Sequence, residues 1–111
     1  MTLYAVIGHD HPPHSMKLRD SVRPEHRAYV RTNDQAIMLA SALNDAENNQ
    51  CGSLFLIEAE SPEEIRAWFA KEPFYANGVY ADFKIIECRV AVNRLDKNEW
   101  AFQALGVEKA G

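Results

Sequence analysis

Two stretches of the sequence carry apolar side chains on both faces, which restricts the chain to folds that cover a sheet from both sides. In residues 2–8 (TLYAVIG) and residues 51–60 (CGSLFLIEAE), odd and even positions alike hold apolar residues. Strands with one face in water alternate between polar and apolar positions, whereas fully buried strands show this continuous pattern. We therefore expect these two stretches to be central strands of one sheet.

A helix is expected between the first strand and the second. Residues 9–14 (HDHPPH) contain two adjacent prolines and are predicted to be a loop. Ser15 is a suitable N-cap for a helix that runs to about Thr32. Further strands are predicted over residues 36–43 and 83–92. The apolar positions of the last strand share one face: Ile86, Cys88, Val90 and Val92.

The strongest capping signal of the chain opens a second helix. Residues 61–64 (SPEE) place an N-cap serine, a proline at the first helical position and a glutamate that closes a capping box. Trp68 lies on the inner side of this helix, and Glu72 is expected on the same side one turn later. Pro73 should end the helix, and residues 74–78 are predicted to be a loop with an Asn-Gly turn.

The order of elements is β-α-β-β-α-β, the split βαβ arrangement of a ferredoxin-like α+β fold. We expect a four-stranded antiparallel sheet with both helices on one face. We assign residues 1–93 to this domain and residues 94–111 to a C-terminal extension that packs on a dimer partner. Because one domain offers nothing to cover the second apolar face, a homodimer with stacked sheets is predicted.

Charge and cysteine content exclude several functional classes. The 111-residue chain has a net charge of −4 and no cluster of basic residues, so no nucleic-acid partner is expected. It has no long apolar segment, and therefore no membrane partner is expected. Cys51 and Cys88 lie in strand-like runs, where we expect reduced thiols in a cytoplasmic protein.

Histidines supply two candidate sites. Leu18, Val22, His26 and Val30 recur every four residues and place His26 on the apolar stripe of the first helix. A histidine there is either a catalytic acid/base or a hydrogen-bonded core residue, and position alone favours the core residue.

A second group, His9, His11 and His14, offers three imidazoles close together. The prolines among them oppose the geometry of a three-ligand zinc or nickel site, so no metal is expected. No glycine-rich phosphate loop, nucleophile elbow or Cys/His metal spacing is present, and no cofactor is predicted.

Three segments resemble the YciI-like protein family. Asp10 and residues 18–29 (LRDSVRPEHRAY) resemble its opening motif, of the form L-R-x-x-x-R-P-x-H-L-x-Y. Residues 52–61 (GSLFLIEAES) look like its third strand and helix cap. Residues 72–80 (EPFYANGVY) resemble its D-P-[FY]-x-x-A-G-[LV]-[FY] loop, with glutamate where the family usually has aspartate.

This resemblance implies a dimeric α+β barrel with a His/acid pair at a cleft, formed here by His26 and Glu72. It also implies chemistry on small aromatic or lactone-like compounds, on which some relatives act as isomerases or dehydrochlorinases. A carboxylate beside an imidazole orients its tautomer and leaves the other nitrogen free to move a proton.

Two hypotheses for function follow. The first is a small enzyme that performs cofactor-free acid/base catalysis, an isomerisation or elimination, on a small carbonyl compound or aromatic acid. Its catalytic residues are His26 and Glu72, and its candidate substrate-binding residues are Arg19, Arg23, Asp10, Tyr29 and Tyr80. The alternative is a non-catalytic dimeric module that binds a small ligand or a partner protein, with His26 in a structural role.

Overall fold

Four strands and three helices form the part of the chain that the computed structural model describes, residues 1–11 and 16–95. They are β1 (Thr2–Asp10), α1 (Met16–Thr32), β2 (Ile37–Asn44), β3 (Gln50–Ala59), α2 (Pro62–Ala70), α3 (Pro73–Ala76) and β4 (Tyr80–Glu87). The strands form one antiparallel sheet in the order β2-β3-β1-β4. The predicted ferredoxin-like arrangement is confirmed, with the one-turn helix α3 added to it.

The core lies between the sheet and the helices on one face. In the β1–β3 ladder, Tyr4 lies opposite Ile57 and Val6 lies opposite Phe55. Ile65 of α2 packs onto this group, and all five side chains are buried. Each buried apolar side chain of this size stabilises the fold by about 1.5–3 kcal/mol. This face therefore fixes both the register of β1 against β3 and the position of α2.

The opposite face of the sheet is also apolar, as the sequence predicts. Ala5 lies opposite Leu56, and Ile7 lies opposite Leu54. These four side chains are only partly buried, and the core cluster with α2 contains none of them. Ile86 of β4, the neighbour of Ala5 on the other side, is 48 % exposed. A contiguous apolar face of this kind is typical of an interface.

We predict that the protein is a homodimer at micromolar concentration, because a second copy can cover this face with an identical one. Light scattering should give twice the chain mass of 12.6 kDa. A stable monomer across the micromolar range would contradict the stacked-sheet dimer.

β1 is longer than the sequence pattern indicates. Its ladder with β4 continues until Asp10 lies opposite Tyr80, so the predicted loop from His9 onwards is wrong for these two residues. Pairing with the segment before β4 continues one residue further, because the backbone N–H of His11 donates to the carbonyl of Val79 at 3.2 Å.

β4 lies earlier in the chain than the predicted strand over residues 83–92. Cys88 still donates its backbone N–H to the carbonyl of Leu3 at 3.0 Å. Because β1 begins at Thr2, only one residue before Leu3, it offers no further backbone groups to the residues that follow Cys88. Val90 and Val92 are therefore 53 % and 68 % exposed. The predicted strand is therefore wrong beyond Glu87, where β4 ends.

The cap of α2 forms with a small change. The Ser61 side chain accepts the Glu64 N–H at 3.4 Å, as predicted. The Glu64 carboxylate accepts the N–H of Glu60 at 3.2 Å rather than that of Ser61. Both interactions stabilise the start of α2.

Some predictions fall outside the described residues. Ser15, the expected cap of α1, is one of them, and so are residues 96–111 of the proposed C-terminal extension. No helix within the described ranges is long and apolar enough to cross a membrane.

Candidate active site

A β-bulge in β4 brings Tyr80 to the core face of the sheet, where Asp10 of β1 already lies. Asp10 continues the alternation of β1 and is 8 % exposed. His9 lies opposite Asp82 and Asp10 opposite Tyr80, so Ala81 is an extra residue. If β4 kept regular alternation here, Tyr80 would lie two residues from Asp82 and share its face, away from the core. The bulge therefore places Tyr80 beside Asp10.

Arg19 of α1 forms a two-point ion pair with Asp10. Its Nε donates to Asp10 Oδ2 at 2.6 Å and its Nη2 to Oδ1 at 2.8 Å. The same Nη2 lies 3.2 Å from Ser53 Oγ, and Nη1 is buried without a hydrogen bond to any described residue. Burial is the largest single effect and would lower the pKa of Arg19, but the hydrogen bonds and charge interactions with Asp10 and Tyr80 together outweigh it and the pKa is raised.

Arg19, one of the two arginines of α1 predicted as substrate-binding residues, is not placed to bind a substrate carboxylate. Its side chain has no exposed surface, and the paired N–H edge that such a contact needs already binds Asp10. The buried residues of α1 are Arg19, Val22 and Val30, whereas Leu18, the predicted first residue of the buried stripe, is 37 % exposed. The stripe is therefore shifted by one residue at its start.

Tyr80 and Ser53 extend this buried polar group. The Tyr80 hydroxyl donates to Ser53 Oγ at 3.0 Å, and burial raises the pKa of Tyr80 to about 12. The Tyr80 ring lies against Gly8, where a Cβ atom would come within 2.6 Å of it. Glycine at this position is thus what admits the ring to the site.

His26 and Glu72 are in direct contact, as predicted, although helical spacing accounts only for the position of His26. His26 Nδ1 lies 2.7 Å from Glu72 Oε2, and the two side chains are 19 % and 0 % exposed. Both Glu72 oxygens also accept backbone N–H groups, from Phe74 at 3.0 Å and from Tyr75 at 3.4 Å. When Glu72 is ionised and His26 is neutral, the carboxylate only accepts, so this contact requires the ring hydrogen on His26 Nδ1. In that tautomer His26 Nε2, which bonds none of the described residues, carries the lone pair.

Glu72 reaches this position by a different route from the predicted one. It does not lie in the last turn of α2, which ends at Ala70, but is the N-cap of α3. Pro73 begins α3 rather than only ending α2, and the predicted loop is instead a helical turn. Asn77 caps this turn and Gly78 follows with a φ of 75°, a conformation that glycine adopts without strain.

Phe74 connects the two polar groups. Its ring stacks on the His26 imidazole with centroids 3.8 Å apart and an interplanar angle of 12°. The Arg19 guanidinium carbon lies 4.7 Å from the centre of the same ring. The ion pair at the end of β1 and the His26–Glu72 pair therefore meet at one buried aromatic side chain.

Tyr29 and Arg23 flank the site on α1. The Tyr29 hydroxyl donates to the carbonyl of Trp68 at 2.6 Å. Burial and the charge of Glu72 raise the pKa of Tyr29. Arg23 pairs with Asp20 at 2.9 Å and its side chain is 25 % exposed. Of the two predicted arginines, Arg23 is thus the one within reach of solvent.

The remaining titratable residues do not form a site in the described part of the chain. His9 faces Asp82 at 3.6 Å and is half exposed. Residues 1–11 and 16–95 contain no group of three or more ligands placed to hold a metal ion; His14 lies outside them. Cys51 and Cys88 are both free thiols.

Comparison with known proteins identifies the family. A profile described as the YCII-related domain matches residues 2–89. The chain belongs to this family. The family resemblance predicted from the sequence is thereby confirmed.

A solved structure shares the fold. The 5-chloro-2-hydroxyhydroquinone dehydrochlorinase from Burkholderia phenoliruptrix AC1100, in complex with 2,5-dihydroxybenzoquinone, superposes with a TM-score of 0.71 at 23 % identity. The match covers 78 % of this chain and 93 % of that one. No protein with a curated description matches the sequence.

Three residues of the site were not singled out from the sequence. Ser53 is hidden in the apolar run of β3, and Gly8 ends the expected first strand. Phe74 stands in the family-like loop, but its stacking on His26 depends on α3, which the sequence did not predict. The sequence signal that could have predicted α3 is Pro73, since proline is favoured in the first turn of a helix as well as after the end of one.

Proposed function

We propose that the chain is a small enzyme that moves a proton on a small carbonyl compound or aromatic acid, an isomerisation or elimination that needs no cofactor. His26 is its acid/base and Glu72 orients His26. The observation that carries the proposal is the 2.7 Å contact between His26 Nδ1 and Glu72 Oε2 on a ring that is still 19 % exposed. This arrangement supplies a fixed tautomer and a reachable basic nitrogen.

The proposed reaction begins when His26 Nε2 takes a proton from the carbon next to a carbonyl group. The electrons of the broken C–H bond move toward the carbonyl, and the Glu72 charge stabilises the imidazolium. In an isomerisation the same proton returns at another carbon. In an elimination the electrons instead expel a leaving group on the neighbouring carbon, and the proton passes to solvent.

The likeness to the dehydrochlorinase supports a substrate of this class. That protein was solved with 2,5-dihydroxybenzoquinone, a small ring with carbonyl oxygens. For this chain we propose that the substrate ring lies beside His26, with Arg23, the solvent-accessible arginine of α1, as the substrate-contacting residue. Arg19, Asp10, Tyr29 and Tyr80 contribute indirectly, because their polar atoms already bind protein groups.

We predict that His26→Ala lowers the rate of proton exchange by about 10²–10⁴-fold, the usual contribution of a positioned acid/base. Proton NMR in D₂O would follow hydrogen loss from a panel of cyclic ketones, lactones, hydroxyquinones and aromatic acids. His9→Ala is the matched control, because His9 is the half-exposed histidine of β1 beside Asp82. Exchange by H26A at the wild-type rate, or no exchange of any panel compound by the wild type, would contradict the proposal.

A second role, a non-catalytic dimeric module that binds a small ligand or a partner protein, is favoured by one observation. Glu72 accepts two N–H groups of α3 in addition to the His26 bond, so the pair also ties α1 to α3. If that is its role, H26A should cost about 1–3 kcal/mol of stability without changing any reaction. If His26 is catalytic, folding should stay nearly intact, since Glu72 keeps its two backbone donors. Thermal melting distinguishes the two.

We further propose that the protein works as a homodimer in the cytoplasm. The apolar sheet face opposite the helices, whose side chains are only partly buried, supports the dimer. The two unpaired cysteines, Cys51 and Cys88, fit a reducing compartment.

A further inference from the structure

Both members of the His26–Glu72 pair depend on a residue that takes no part in the proposed chemistry. We propose that Phe74 is the positioning residue of the pair. Its ring sets the plane of the His26 imidazole, and its backbone N–H holds the Glu72 oxygen to which the imidazole bonds. The effect that we expect on the reaction rate rests on the proposed function. The positioning does not, because it is measured on the His26 ring itself.

The geometry at His26 shows why one hydrogen bond is not enough. The bond from Nδ1 to Glu72 Oε2 fixes one atom of the imidazole, but the second side-chain torsion of histidine is broad and roughly two-fold. A ring flip about that torsion would exchange the positions of nitrogen and carbon. The Phe74 ring, 3.8 Å away and within 12° of parallel, fixes the plane of the imidazole. Within that plane the bond to Glu72 selects the orientation that has Nδ1 on the carboxylate.

The geometry at Glu72 adds a second constraint from the same residue. Glu72 Oε2, the atom that contacts His26, also accepts the Phe74 N–H at 3.0 Å. The position of this oxygen is therefore tied to the position of the Phe74 backbone. A shift of Phe74 moves the donor ring and the acceptor oxygen together.

Phe74 is itself firmly held. It is 2 % exposed and packs with Val22 and Val79 in a cluster separate from the main core. The Arg19 guanidinium lies 4.7 Å from its ring centre and is fixed by two bonds to Asp10. The ring is thus anchored to the end of β1, so the sheet determines where the imidazole points.

The test replaces the aromatic ring and reads the histidine directly. In Phe74→Leu the ring is lost and the backbone N–H remains. The ratio of the Nδ1–H to the Nε2–H tautomer of His26 is measured by ¹⁵N NMR at pH 9, where free histidine is neutral. We expect this ratio to fall about three- to tenfold, the range expected from losing one aromatic pair. Phe74→Tyr, which keeps the ring, should restore it.

Ile65→Ala is the matched control for stability. Ile65 is 1 % exposed in the main core and does not belong to the Phe74 cluster. I65A should lower the melting temperature and leave the tautomer ratio unchanged. With a substrate in hand, F74L should lower kcat about tenfold or more and change KM less, since misplacing a catalytic group acts on the chemical step.

The outcomes separate this inference from the proposed function. An unchanged tautomer ratio in F74L, with a lower melting temperature like that of I65A, would show that Phe74 only fills space. A changed ratio supports positioning even if H26A alters no reaction. Should F74L not fold, Phe74→Met, whose flexible side chain fills irregular space, replaces it and the same ratio decides.

Discussion

Replacing Glu72 with alanine is expected to lower the free energy of unfolding by about 2–4 kcal/mol and to abolish any proton-transfer activity. The carboxylate has no exposed surface and accepts from three donors: the His26 ring and the backbone N–H groups of Phe74 and Tyr75. Loss of a helix cap costs about 0.5–2 kcal/mol, and stranding a buried donor adds about 1–3 kcal/mol. Chemical denaturation measures the change.

Glu72→Asp separates the two tasks of this carboxylate. Aspartate is a good N-cap, so α3 should keep its first turn and the loss of stability should stay below about 1.5 kcal/mol. The side chain is one methylene shorter, which draws the oxygen away from His26 by more than the tolerance of about 0.5 Å that catalytic groups allow. We expect activity to fall about 100-fold. If E72D kept full activity, the length of the Glu72 side chain would not matter to the chemistry.

Arg19→Ala is expected to destabilise the fold by about 3–5 kcal/mol, the usual cost of breaking one partner out of a buried ion pair. The change leaves the Asp10 carboxylate, on a side chain that is 1 % exposed, without its two donors. It also removes the guanidinium from the Phe74 ring. A shift of this size in a domain of about 100 residues lowers the melting temperature by on the order of 15 °C or more.

Two controls make this second prediction specific. Arg23→Ala removes another arginine of α1 from an ion pair, but the pair with Asp20 lies at the surface, so the change should cost under about 1 kcal/mol. The double variant Arg19→Met with Asp10→Leu should be more stable than Arg19→Met alone, because it leaves no unpaired buried charge. Equal losses of stability in R19A and R23A would show that the buried Arg19–Asp10 pair contributes no more to the stability of the fold than a surface pair does.

The element order could be predicted from the sequence because each element depends on local signals. The continuous apolar runs indicate buried strands, and the SPEE segment indicates the start of α2. Because β1 and β3 carry apolar residues on both faces, the sequence also predicted that the sheet face away from the helices is apolar. These features depend on periodicity and capping, which neighbouring residues in the chain decide.

The His26–Glu72 contact was predicted for a reason that is only partly correct. Helical spacing placed His26 on the inner face of α1, which the structure bears out by its partial burial. Glu72 was expected on the inner face of α2 as well. It reaches His26 instead as the N-cap of α3, because Pro73 starts a new helical turn after α2 has ended.

The sequence by itself determined the strands, the two main helices, their order and the inward position of His26, since these depend on local spacing and capping. Only the tertiary structure decided that Arg19 is buried, because an arginine on a helix is expected in water until a partner such as Asp10 appears. It also decided the face of Tyr80, which depends on one extra residue in β4. A bulge and a buried ion pair join residues distant in sequence, so their energies exist only once the sheet and the helices have met.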